Sequence, residues 1–517
     1  MTAAKGPAID TAELRARLRA ALEMARRDLA AATQRGEGGL AAITNFSDRV
    51  DELVRELVEA ARSLTGAPMA VCAVGGYGRR SLSLCSDVDL LVLFDGPIGP
   101  DEERALKALL TPLWDLNFVV GHHVRERADF GRLEADNPEF MLSLLDVRWL
   151  GGDSDLFAEF DARTRESNRD ANPRILDALI ALIDQRHAEF NDTLYQLEPD
   201  VKDAPGGLRD IWATRTMLRL AAGRLTPTAA STTDRLREAD EFLLRIRSLL
   251  HLDSGRNVNV LTHELQEKFA GRLGSVGPDM RRRVESLMSE YFRHARFVAR
   301  VLARTTRAAR PAPPMPLQLV GENLLWVVEG IGFADPDRAA AAPTSWLRAF
   351  EAAVQRNVPV ADDALMLIER EQETGEYGPD VLLPTAESRR RLTQLLRPRP
   401  GLAARLREMH DCGLLGALFP EFEAISCRVT RDFYHRYTVD EHTLLTVRNV
   451  ERLLTHERFG PILRELRAPE VLVLALLYHD VGKSREGNHS VIGAEMAAVM
   501  AERLHLDDAA RRAIDFL

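Results

Sequence analysis

The sequence predicts an α+β protein: a small α/β segment over 65–160, helices on both sides of it, and an all-α region at the C-terminal end. Three observations carry this reading. Two short apolar runs, 69–74 and a second strand beginning at Asp87 and running to 94, bracket a glycine turn, as strands joined by a tight connection do. Residues 172–304 keep apolar side chains at three- and four-residue spacing, the period of amphipathic helices. The stretch 470–478 is an apolar helix that closes on the adjacent pair His479-Asp480.

A chain of 517 residues exceeds a single core and predicts several domains. The expected segments are N-terminal helices over 1–64, the α/β domain over 65–160 and a helical domain over 161–310. A linker and helical connector follow over 311–430, and the closing all-α domain over 431–517. In the first segment the pattern predicts helices over 12–32 and 47–64. The α/β segment adds a helix near 102–114 and a strand over 117–125. Arg310-Pro311-Ala312-Pro313-Pro314-Met315-Pro316 is a proline-rich break, and a second helical region runs from 343 onward.

Net charge is −10, from 68 Lys and Arg against 78 Asp and Glu. This acidic balance opposes non-specific nucleic-acid binding as the main task. The runs Arg281-Arg282-Arg283 and Arg389-Arg390-Arg391 read as solvated helix faces. Cys72, Cys85, Cys412 and Cys427 are scattered, without Cys-x-x-Cys spacing, which fits a reducing compartment. The first ten residues lack a basic, apolar leader, and no apolar stretch is long enough to cross a bilayer. A cytoplasmic location is expected.

The most informative motif is Val74-Gly75-Gly76-Tyr77-Gly78-Arg79, followed by Ser86-Asp87-Val88-Asp89-Leu90-Leu91. Side chains alternate along a strand, so Asp87 and Asp89 point to one side. Two hard oxygen ligands suit Mg²⁺ or Mn²⁺ bridging to substrate phosphates. Gly75 and Gly76 let backbone N–H groups approach a polyphosphate, with Arg79 and Ser86 at either end of the connecting loop. The glycines are not a dinucleotide fingerprint, because no third glycine follows at the required spacing. An Asp-x-Asp at a strand start is often only a polar turn. The combination points to nucleotidyl transfer of the DNA-polymerase-β-like kind.

Two further constellations stand out. Residues 198–210 form a polar loop, Glu198-Pro199-Asp200-Val201-Lys202-Asp203-Ala204-Pro205-Gly206-Gly207-Leu208-Arg209-Asp210. A Pro-Gly-Gly step often merely turns a chain; the alternative is that Lys202 and Arg209 reach substrate phosphates. The other comprises His442, then His479-Asp480-Val481-Gly482-Lys483, then His489. Closing an apolar helix with His-Asp is costly unless a metal or partner compensates. Imidazole and carboxylate ligands suit a divalent metal able to activate water for attack on phosphorus. In this reading His442, His479 and Asp480 are ligands, Lys483 assists, and His489 takes a second metal or a phosphate. The set is that of an HD-type phosphohydrolase.

Together these residues resemble the bifunctional PII uridylyltransferase/uridylyl-removing family, GlnD. The carriers are the glycine turn with Ser86 to Leu91, residues 197–210, and Phe242-Leu243-Leu244-Arg245-Ile246-Arg247 with Leu250-His251-Leu252. Residues 407–410, 419–422, 434–442 and 479–483 complete the set. The resemblance implies transfer of UMP from UTP to a tyrosine of the nitrogen-signalling protein PII, with release of pyrophosphate. It implies hydrolysis of that UMP when glutamine is abundant. Gly75 and Gly76 would then hold the triphosphate, Asp87 and Asp89 the Mg²⁺, and His442, His479 and Asp480 the hydrolase metal. Neither a membrane nor a nucleic-acid partner is implied.

The sequence departs from the family pattern in places. Ser81 and Leu84 stand where Glu and Pro are common. A third transferase carboxylate is not obvious on the strand over 117–125, leaving Glu126 and Asp146 as candidates. The family pattern continues with further HD helices, a final metal-ligand Asp and two glutamine-sensing ACT domains, whereas this sequence ends at Leu517. The expectation is therefore a C-terminally truncated member with an incomplete HD domain. Two alternatives remain open: a polynucleotide nucleotidyltransferase of the CCA-adding kind, and a non-catalytic regulatory protein.

Overall fold

In a computed structural model the described residues are 11–134, 136–190, 193–221, 230–309, 317–375, 377–429, 437–485 and 487–517. They form two compact units. The first holds the chain up to Leu194, Glu198–Val284 and His294–Ala309. The second holds Tyr195–Leu197, Glu285–Arg293 and the chain from Arg310 to Leu517. The architecture is the expected α+β class, with long helices around small sheets.

The first unit is built on a four-stranded sheet of β1 (Met69–Ala73), β2 (Val88–Phe94), β3 (Val120–Glu126) and β4 (Arg148–Gly152), in the order β3-β2-β1-β4. β1 runs antiparallel to β2 and β4, while β2 and β3 are parallel. A parallel pair needs a crossover, which the helix Pro100–Asp115 supplies. Alternation divides β1 and β2 between two cores. Met69, Val71, Ala73, Leu90 and Val92 face α1 (Thr11–Gln34) and α2 (Leu40–Arg62). Ala70, Cys72, Leu91 and Leu93 face Phe130, Phe140, Leu156 and Phe160. Strands apolar on both faces read as uninterrupted hydrophobic runs, as these do.

α2 buries Ile43, Phe46, Val50, Val54, Leu57 and Val58, a spacing that leaves one stripe for the sheet. The N-terminal helices drawn over 1–64 thus share one core with the sheet. α2 also anchors the glycine turn. Arg148 donates to Asp51 Oδ2 at 2.5 Å, and its other N–H groups reach the carbonyls of Gly78 and Tyr77 at 3.1 Å. Asp51 is fully buried, so this pair is the fixed point from which the turn projects.

Around the sheet stand the helices Asn172–Glu189, Leu208–Leu220 and Ala230–Ser254, which supply the helical wall expected from periodicity. Ile175, Leu179, Ile183, Ala213 and Met217 interlock there.

The second unit departs from the helical connector expected over 311–430. The first described element after residue 316 is an antiparallel sheet of β5 (Gln318–Gly321), β6 (Leu324–Val327) and β7 (Gly330–Phe333). The strands are too short for a period to show, and two-residue loops join them. Asn323 (φ 59°) supplies left-handed backbone in the first of these turns, and Gly330 (φ 133°) opens β7 directly after the second. The proline-rich break over 310–316 lies outside the described residues, as do residues 434–436 of the segment 434–442.

From Thr344 the second unit is helical, and one core joins Trp346, Phe350, Phe419, Phe422, Leu474, Tyr478 and Met500. The helix Pro469–Tyr478 is apolar nearly all round and lies in its centre. Among the described residues no helix is long and apolar enough to cross a membrane.

Candidate active sites

The first unit contains a cavity of about 1260 Å³, lined by every residue that the sequence proposes for nucleotide transfer: Gly75, Gly76, Arg79, Ser86, Asp87, Asp89, Lys202 and Arg209. The glycine run forms one helical turn, Gly75–Gly78, entered by Gly75 in the left-handed region (φ 56°). Asp87 stands exposed just before β2, and Asp89 is half-buried one step inside it. The loop between turn and strand is fastened by Ser81 to the Gly76 carbonyl, Leu82 N to Ser47 Oγ, and Ser83 N to Ser86 Oγ. These bonds stiffen the loop.

Burial, reinforced by the neighbouring charge of Asp87, pushes the Asp89 carboxyl up, while Lys202 and Arg79 oppose the rise. A carboxylate pair that is unfavourable by itself is completed by a cation. The parallel register sets Asp89 opposite Gly121 on β3. A methyl group at Gly121 would stand 2.5 Å from Asp89 Oδ1, so the glycine leaves room for the carboxylate. Sequence reasoning passed over Gly121, whose only signal is a glycine inside a strand.

Neither candidate for a third carboxylate stands ready for a metal. Glu126 Oε1 accepts from Ile98 N. Asp146 lines the cavity, but it accepts from Arg79 Nη1, Trp212 Nε1 and Arg219 Nη2, each at 2.7 Å. It works as a hub that holds Arg79, whose guanidinium also lies over the Trp212 ring at 5.0 Å.

The 198–210 loop is held from beneath by Asp210. This buried carboxylate accepts from Arg186 at 2.5 Å, His187 at 3.0 Å and Gly206 N at 2.7 Å. Burial opposes its ionisation, but these partners outweigh burial and hold the carboxyl below its ordinary range. The loop thereby presents Lys202 and Arg209 to the cavity.

Beside it His251 is buried and accepts the Cys85 N–H through Nδ1 at 3.3 Å. Burial, with Arg247 and Lys202 close by, pushes its pKa down to about 3. A histidine depressed in the fold binds fewer protons there than when unfolded, so stability falls as pH drops below about 6.5, by up to about 1.4 kcal/mol per unit. Urea unfolding at pH 7 and pH 5 will show wild type losing on the order of 1–2 kcal/mol more than His251→Asn. Equal losses would remove His251 as the cause.

The second candidate site lies in the second unit. His442, His479 and Asp480 offer ligand atoms that all lie within 4.8 Å of one another. His479 Nε2 is 3.3 Å and His442 Nε2 4.0 Å from Asp480 Oδ2, and Lys483 Nζ donates to the same oxygen at 2.9 Å. His479 Nδ1 donates to the Leu476 carbonyl at 2.6 Å, which leaves Nε2 for a metal. Burial disfavours the Asp480 charge, yet the bonds from His479 and Lys483 prevail and hold the carboxyl far below the usual range. Burial also lowers His479, and its bonds to Asp480 and Leu476 more than restore it.

Both ligand-bearing helices are braced. Arg407 grips Glu441 through two bonds of 2.6 and 2.7 Å, and His410 meets Asp440 at 2.9 Å, fixing the first turn of Val439–Leu453. Glu421 accepts from Tyr478 and Arg503, fixing the end of Pro469–Tyr478. His489 is not in the three-residue group; it is exposed and opens the helix His489–Arg503.

Residues 174–306 match the family model described as GlnD PII-uridylyltransferase, and residues 439–516 match that of the HD domain. These two segments are thus similar to a GlnD uridylyltransferase domain and to an HD domain. Curated relatives named bifunctional uridylyltransferase/uridylyl-removing enzyme extend the similarity over most of its length. The protein of Ruegeria pomeroyi is 32% identical over 87% of this chain and 52% of its own. That of Bordetella parapertussis is 33% identical over 92% and 56%, and that of Thiobacillus denitrificans 33% over 92% and 58%. The chain spans about half the length of the curated relatives it matches. The GlnD segment contains Lys202, Arg209 and Asp210, and the HD segment contains His442, His479, Asp480, Lys483 and His489.

Proposed function

We propose that this chain transfers UMP from UTP to a tyrosine of PII and that its HD domain hydrolyses the product. The observation that carries this is the convergence of Asp87, Asp89, Lys202 and Arg209 on one cavity behind a glycine turn. In the forward step the tyrosine oxygen attacks the α-phosphorus, the tyrosine proton passes to solvent, and pyrophosphate departs with the bonding electron pair. Gly75 and Gly76 offer backbone N–H groups to the triphosphate. Asp87 and Asp89 would hold Mg²⁺ or Mn²⁺, which neutralises phosphate charge as it shifts to the leaving group.

In the reverse-acting site water replaces tyrosine on phosphorus, giving UMP and free PII. His442, His479 and Asp480 would hold the divalent metal that lowers the pKa of the attacking water. Lys483 keeps Asp480 ionised through its 2.9 Å bond and brings positive charge to a phosphate. His489 extends the phosphate contact or binds a second metal. The family model's description supports PII as the acceptor, and the relatives' names support uridylyl transfer and removal. The four free cysteines support a cytoplasmic setting.

The test is transfer of label from α-labelled UTP to purified PII with Mg²⁺, with Asp87→Ala alongside wild type. Label that appears on PII and vanishes in the variant is expected. A folded wild-type chain that labels nothing, with Mn²⁺ and other nucleotides also tried, would sink the reading.

A further inference from the structure

The cavity of the first unit supplies most of its own counter-ions. Arg79 and Arg219 share Asp146, Arg215 is held by Asp240, Arg209 by Asp203 and Arg186 by Asp210. Arg80 and Arg148 pair with Asp48 and Asp51. Lys202 and Arg247 line the same cavity, and among the described residues neither forms a salt bridge. Arg247 is only 7% exposed; its Nε donates to Asn259 Oδ1 at 2.9 Å, which orients the guanidinium and leaves its two Nη groups without a protein acceptor.

Two cations partly or wholly withdrawn from water in one cavity, without a salt bridge, are costly. Burial, then Arg247, pulls the Lys202 ammonium below its ordinary value, and burial pulls the Arg247 guanidinium down to about 10. Asp203 and, more weakly, Asp87 favour both charges, and Asp200 favours that of Arg247, but burial outweighs them; the pair shares its cavity with the carboxylates of the transfer site. A protein that keeps such a pair stores an anion site, and the anion that balances it carries more than one charge.

We propose that Lys202 and Arg247 form a pyrophosphate subsite, which binds the terminal diphosphate of the nucleotide and receives it as the leaving group. The assignment rests on the nucleotidyl-transfer reading of the cavity. When the bond from the α-phosphorus to its bridging oxygen breaks, the electron pair stays on that oxygen, and the two cations meet the charge that develops. Arg79 is less suited, because Asp146 already balances it.

The test needs neither PII nor turnover. Pyrophosphate with Mg²⁺ is titrated calorimetrically into the full 517-residue chain, with orthophosphate as reference. Wild type is expected to bind pyrophosphate about tenfold tighter than orthophosphate, or better. Lys202→Gln and Arg247→Gln each weaken pyrophosphate about tenfold or more, and Arg219→Gln changes it less than about threefold. Ligand-free Lys202→Gln melts at or above the wild-type temperature, because one of two repelling charges is gone; a lysine with a merely structural role would melt lower. Unchanged pyrophosphate affinity in both variants, or equal binding of the two anions by wild type, overturns the subsite. If pyrophosphate binds as expected while no label reaches PII, the anion site stands and the uridylyl-transfer reading falls. If PII is labelled and the variants bind pyrophosphate normally, the subsite alone falls.

Discussion

Asp89→Asn will reduce UMP transfer about a thousandfold or more, roughly 4 kcal/mol of transition-state stabilisation, while the protein unfolds at an unchanged or higher temperature. Asparagine keeps the shape of the side chain and removes only its charge. In the fold that charge is a liability: burial and Asp87 both oppose it. Gly121 clears space for the carboxylate, and Gly75 passes close enough that a Cβ there would lie 3.5 Å from Asp89 Oδ2. A residue that costs stability and is given room at the mouth of a cavity is kept for what it binds. Label incorporation into PII and a thermal melt, made on the same preparation, read both effects. Transfer within tenfold of wild type would exclude Asp89 as a metal ligand, and a lowered melting temperature would make it a structural residue.

Asp480→Asn will abolish tight Mn²⁺ binding in the HD domain and cut release of UMP from uridylylated PII about a hundredfold or more, with transfer preserved. Asp480 Oδ2 is the point on which His479, His442 and Lys483 converge, and the amide offers a far weaker ligand. The core beneath it is independent of the charge: Leu474, Leu477 and Tyr478 remain buried whatever occupies position 480. Transfer survives because its cavity lies in the other unit, on a separate hydrophobic core. Metal stoichiometry measured by calorimetry decides the point without requiring hydrolysis. Full Mn²⁺ affinity in the variant would show that the group is not a metal centre.

Much of both sites was legible in the sequence because its chemistry is local. Asp87 and Asp89 are two residues apart, one just before β2 and one inside it, so the alternation of extended backbone was enough to read a common side. His479 and Asp480 are adjacent at the end of a helix whose apolar composition already marks it as central. The helices over 172–304 were legible because a long period survives local noise, whereas β5, β6 and β7 have four residues each and no period to read. His489, close in sequence to the HD pair, opens a separate helix outside the three-residue group.

What sequence alone determined, then, is the set of reactive groups that are near neighbours along the chain: the carboxylate pair where β2 begins, the glycine turn before it, and the His-Asp that follows an apolar helix. Only tertiary structure decided how their charges are balanced. Asp146 reads as a spare carboxylate until Arg79, Trp212 and Arg219, from distant parts of the chain, close on it. Lys202 and Arg247 read as two among many basic residues until folding brings them into one cavity and gives every other arginine lining it a carboxylate partner. Neutralisation depends on distance in space and on exclusion of water, and neither quantity is carried by spacing along a chain.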